Sequence, residues 1–109
     1  MKVLSLLGLI LVPFTAMGGT ITSKLQQLSL ATEQYANVSL VTAFDSSNHP
    51  CSNTSNFLSF DKTTEHGKQM YSLLLAAYLA NREIYFEYSN TTCGLWGTQP
   101  VITRVDLRG

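Results

Sequence analysis

Two hydrophobic periods run along this chain, and the places where one gives way to the other set the order of its elements. In residues 35–44, Val38, Leu40, Thr42 and Phe44 alternate with Asn37, Ser39, Val41 and Ala43. That period of two predicts a strand with small or polar residues on its second face. Residues 56–60 predict a short strand around Phe57, Leu58 and Phe60. The spacing then changes. Met70, Leu73, Leu74 and Ala77 fall at i, i+3, i+4 and i+7, the stripe of an amphipathic helix. Asp61, Thr63 and Thr64 are all competent N-caps, Glu65 suits the first turn, and Asn81 suits the left-handed position at the helix end. Period two returns in 83–89, with Ile84, Phe86 and Tyr88 set against Tyr85 and Glu87. It returns again in 101–107, where Val101, Thr103, Val105 and Leu107 oppose Ile102, Arg104 and Asp106.

Residues 20–30 admit two readings. Ile21, Leu25 and Leu28 sit at helical spacing, whereas Leu28 and Leu30 alternate. A long first strand with a bulge near Gln26 and Gln27 accounts for the change of phase, and a short helix competes with it. Residues 45–56 hold Ser46, Asn48, Pro50, Asn53 and Ser55 and predict an exposed loop. The predicted fold is mainly β with one helix. Its order is strand, strand, strand, helix, strand, strand, and its architecture is a five-stranded OB-fold-like barrel. A split α+β sheet covered by one helix is the alternative.

The start of the chain has a different character. Lys2 precedes an apolar run over 3–12, Pro13 ends it, and Ala16 and Gly18 provide small residues. This is the layout of a secretory signal peptide, and the run is too short for a spanning helix. Residues 1–18 are therefore expected to be cleaved and 19–109 to form one domain, secreted or periplasmic, with no membrane insertion. An uncleaved anchor or a buried N-terminal helix is the rival. Loss of Lys2 turns a balance of 7 basic and 7 acidic residues into a slight acidic excess. Such a chain has no electrostatic footprint for nucleic acid.

Cys51 and Cys93 are the only cysteines. In an oxidising compartment they are expected to pair, closing a loop of about 40 residues and stabilising the fold by roughly 3–4 kcal/mol. A two-ligand metal site and two free thiols are the alternatives, and no accompanying metal spacing supports the first. Trp96 lies in the turn after Cys93. Exposed, with Tyr88, Asn90 and Gln99 near it, it could stack on a sugar face. Large aromatics in small domains are more often buried, which favours Trp96 as a lid over the disulfide or the barrel end. Tyr71, Leu75 and Tyr78 widen the helix's apolar arc beyond one packing partner, which favours an association face. His49 and His66 stand alone, each expected to be a solvated or capping residue rather than a ligand or base. A triad of His66, Asp61 and Ser72 is rejected, since no nucleophile elbow or oxyanion donor accompanies it. No phosphate loop, zinc spacing or carboxylate pair points to an enzyme, a metal or a cofactor. Asn37, Asn53 and Asn90 each begin a glycosylation sequon, which matters only in a eukaryotic host.

The run Gly67-Lys68-x-Met70-Tyr71-Ser72-Leu73-Leu74-Leu75-x-Ala77, then a strand, then Cys93-x-x-Trp96-Gly97, resembles a group of small exported bacterial proteins. That group is distantly similar to the binding subunits of subtilase-cytotoxin-type and pertussis-like toxins. The resemblance implies an OB-fold, a pentamer-like ring and recognition of a cell-surface glycan or protein, without catalysis. It covers about residues 64–107 and carries over no sugar-contacting residue. A secreted or envelope interaction protein without glycan binding is the competing expectation.

Overall fold

The computed structural model describes residues 19–43, 49–51 and 56–109. The signal-peptide reading of 1–18, Phe44, and much of the predicted polar loop lie outside the described residues. Strands β1 (Gly19–Ser23), β2 (Leu25–Ser29), β3 (Tyr35–Leu40) and β4 (Phe57–Asp61) precede helix α1 (Glu65–Leu79). Strands β5 (Ile84–Cys93) and β6 (Pro100–Asp106) follow it, joined by a 3-10 turn at Leu95–Gly97. The strands form one curled, half-barrel sheet in the order β1-β5-β6-β4-β3-β2. All neighbours are antiparallel except β4 and β6, which run parallel at Ser59 and Val101.

The expectation of five strands, three of them before the helix, is corrected to six, with four before it. The first segment divides at Lys24. Its front half pairs with β5 and its back half with β3, so the chain must turn between two partners at opposite ends of the sheet. Side chain and backbone bonds hold the turn: Ser23 Oγ donates to Lys24 O at 2.7 Å and accepts from Thr42 N at 3.0 Å. Val41 N donates to Lys24 O at 3.0 Å. The bulge falls at Gln26, where the register shifts between Leu25 and Gln27.

Ala36, Val38 and Leu40 of β3, Leu58 and Phe60 of β4, and Ile84, Phe86 and Tyr88 of β5 fill the concave side of the sheet. Met70, Leu74 and Ala77 of α1 close it. The phase expected for β6 changes along the strand. Val105 and Ile102 both pack on the core, because a bulge opposite Glu87 and Tyr88 takes up Thr103. Thr103 Oγ1 then donates to the Glu87 carbonyl at 3.1 Å.

Local chemistry fixes the ends of the helix. Thr64 is the N-cap, and its hydroxyl accepts from Gly67 N at 2.9 Å. Upstream, Gln34 Nε2 donates to Asp61 Oδ2, and Thr63 N and Oγ1 donate to Asp61 Oδ1. The Gln34 bond first, then those of Thr63, hold the Asp61 carboxyl below its ordinary range. At the other end Asn81 takes a left-handed φ of 55°. Arg82 N then bonds Ala77 O, and Asn81 N bonds Tyr78 O, the paired bonds of a Schellman motif. Replacing Thr64 by alanine should lower stability by about 1 kcal/mol, and Thr64→Ser should restore most of it, as read from urea midpoints.

Candidate functional site: a cleft beneath Trp96

Cys51 and Cys93 are joined, with an S–S distance of 1.99 Å and Cα atoms 5.5 Å apart. The bridge ties the 49–51 segment to the end of β5. His49 strengthens this tie. Cys51 N donates to its Nδ1 at 3.0 Å, so Nε2 carries the proton and donates to the Ser89 carbonyl at 2.7 Å. The imidazole also lies against Tyr88, with ring centroids 6.0 Å apart. His49 therefore clamps the 49–51 segment to β5.

The chain after Cys93 folds back over the convex side of β3 and β4. Gly94 N donates to Gln99 O at 2.7 Å and closes the turn, while Leu95 N donates to Ser59 Oγ at 3.1 Å. A Cβ at Gly94 would come within 2.4 Å of that same Ser59 oxygen, so this close approach requires glycine. Leu95 takes the buried place in the turn. The second face of β3, polar in sequence, is consequently covered as well: Asn37 and Ser39 are both buried. Asn37 Nδ2 donates to Gln99 Oε1 at 3.3 Å.

With Leu95 inside, the next residue in the turn must point out. Trp96 is 72% exposed and adopts a left-handed backbone, φ 54° and ψ 15°. The expectation that it is a buried lid is corrected: the turn buries Leu95 and leaves the indole exposed. Trp96 forms one wall of a cleft of about 500 Å³. Leu30 and Ala31, just past β2, and Phe57 of β4 add apolar surface. Gln27, Ser29 and Thr98 add polar groups, and the Asn37–Gln99 pair lines it too.

Of the residues singled out from sequence, Trp96 and Gln99 meet in this cleft. Tyr88 and Asn90 do not line it. Tyr88 is buried in the core over Gly19, and Asn90 lies further along β5. Asn37 was legible only as part of a polar strand face, and its partner lies 62 residues away. Leu30, Ala31 and Phe57 carried no signal beyond hydrophobicity. On the helix, Tyr71 packs against the core, while Leu75 and Tyr78 are exposed together with Leu79.

The His66, Asp61 and Ser72 side chains are each engaged separately. His66 Nε2 bonds Thr103 O, Ser72 Oγ donates back to Lys68 O, and Asp61 holds Thr63 and Gln34. Among the described residues no three of His, Cys, Asp and Glu gather as metal ligands, and no helix is long and apolar enough to cross a membrane. Comparison with family models, with curated proteins and with solved structures finds no match for this chain.

Proposed function

We propose that this protein is an exported, non-enzymatic binding module whose ligand is a carbohydrate held in the Trp96 cleft. The observation that carries the proposal is the placing of Trp96. A left-handed backbone disfavours any residue with a Cβ, by about 1–2 kcal/mol, and exposing an indole forgoes its burial. Strain of this kind gathers at ligand sites. Here it sets a flat aromatic wall beside two amides, an arrangement suited to a ring with one apolar face and several hydroxyls.

The strand order supports the same reading. Taken as two halves of one strand kinked at Lys24, β1 and β2 would close a five-stranded OB-type barrel. Ligands of that fold, oligosaccharides among them, lie on the face of its second and third strands, between the loop after the first strand and the loop joining the last two. Residues 27–31, β3 and β4, and 94–99 surround the cleft in that way.

A second observation favours self-association into a ring. Leu75, Tyr78 and Leu79 are 38%, 42% and 76% exposed on one flank of α1, so the helix carries more apolar surface than the sheet covers. A second copy in a closing, heterologous contact is the occupant proposed. Sedimentation of the oxidised protein tests this: a monomer at every concentration counts against the ring.

The chain has a single tryptophan, so its fluorescence reports on this site alone. Titration with soluble glycans that score on an array should shift and saturate the emission. Trp96→Gly should weaken binding roughly tenfold or more while leaving stability unchanged or raising it by up to about 1 kcal/mol, because glycine accepts the left-handed backbone. An array with no sugar signal at high protein concentration would leave an interaction protein without glycan binding as the better description.

A further inference from the structure

Resting on the carbohydrate reading above, we infer that the cleft selects an uncharged sugar and uses the Asn37–Gln99 amide pair to grip two neighbouring hydroxyls. The first ground is charge. Every residue lining the cleft among those described is neutral. Lys24, Lys62, Lys68, Arg82, Arg104 and Arg108 are all absent from the lining. A bound carboxylate or phosphate needs a cation or a cluster of directed donors to replace its water. A sialic acid, a uronic acid or a nucleic-acid backbone would find no cation there. An uncharged hexose leaves no such debt.

The second ground is the hydrogen-bonding capacity left in the pair. The bond from Asn37 Nδ2 to Gln99 Oε1 uses one donor and one acceptor. Asn37 Oδ1 and Gln99 Nε2 remain. Among the described residues no buried side-chain nitrogen or oxygen lacks a partner, so these two atoms meet solvent, and both residues line the cleft. Reversing both amides exchanges the atoms but again leaves one acceptor and one donor group. A hydroxyl both donates and accepts, so two adjacent hydroxyls match the pair, one on each amide. With the amides bonded to each other and buried, the grip is set before the ligand arrives, which lowers the ordering cost of binding. Trp96, in the same lining, then takes the sugar's C–H face.

The test is calorimetric titration of the oxidised chain at low and high salt. The probes are uncharged hexose di- and trisaccharides, the same sugars capped with sialic acid, and an oligothymidylate. The expected result is binding of a neutral sugar with an affinity that salt does not change, no gain from the sialic acid cap, and no binding of the oligothymidylate. Gln99→Glu, which keeps the shape but replaces the donor with a carboxylate, should weaken that sugar about tenfold. Trp96→Gly, a change at an exposed position, should weaken it roughly tenfold or more. Sialylated sugars bound roughly tenfold more tightly than neutral ones, with salt sensitivity, would overturn the charge inference and leave a carbohydrate site standing. A neutral sugar whose affinity survives Gln99→Glu unchanged would overturn the role of the amide pair. Tight oligothymidylate binding, or no binding by any saccharide to folded protein, would overturn both this inference and the reading beneath it.

Discussion

Gly67→Ala is expected to destabilise the protein by about 3 kcal/mol, although the substitution lies inside a helix where alanine is normally the better residue. By propensity alone the change should stabilise by about 1 kcal/mol. Packing reverses the sign. The first turn of α1 sits directly on the end of β4, and a Cβ at Gly67 would stand 1.9 Å from the Asp61 carbonyl oxygen and 3.0 Å from Lys62 Cα. These are backbone atoms, so no side chain can rotate away. The same turn holds the Thr64 cap and the bonds on Asp61. Relief requires the helix to lift from the sheet and uncover Met70 and Leu74, at the upper end of the overpacking range. Urea denaturation of the oxidised protein measures it. A midpoint equal to or above that of the wild type would mean that the helix does not approach β4 as described.

Removing the disulfide is the second large effect. The bridge closes a loop with a sequence separation of 42, which in the chain-entropy treatment stabilises by about 4 kcal/mol. A domain this small has a total stability on the order of 5–10 kcal/mol. The Cys51→Ser, Cys93→Ser double variant should therefore melt far below the oxidised protein. The loss has a functional side, because Cys93 opens the turn that carries Trp96 and pairs with Pro100 where that turn closes. Reduction should weaken sugar binding as well as stability. Unchanged melting after verified reduction would mean that β5, β6 and the His49 clamp hold the turn without the bridge.

The elements set by local chemistry were legible in the sequence. The helix follows from Met70, Leu74 and Ala77, its start from three candidate caps of which Thr64 is used, and its end from Asn81 in the left-handed region. The bulge near Gln26 was legible as a change of phase, and the cysteine pairing as two thiols in a chain whose first residues read as a signal peptide. The features that depend on distant partners were not legible. Lys24 has nothing in its neighbourhood to announce a strand break; the break is fixed by Thr42 and Val41, which bond to Ser23 and Lys24 from the far end of β3. The polar face of β3 reads as a solvent face until the 94–99 turn folds over it. Leu95 and Trp96 are adjacent and both large and apolar, and nothing local says which one goes inside. The contact between Leu95 N and Ser59 Oγ decides it, and so decides that the indole faces the cleft.

One spectrum tests the central claim most directly. In 15N-labelled protein the single indole N–H gives one isolated signal, and the side-chain amides of Asn37 and Gln99 give their own pairs. Titration with a neutral oligosaccharide that binds should move the Trp96 indole and both amide pairs together, along one saturation curve, while the helix signals of Leu75, Tyr78 and Leu79 stay in place. Saturating shifts that leave Trp96, Asn37 and Gln99 untouched and gather elsewhere on the molecule would contradict the assignment of the cleft as the binding site.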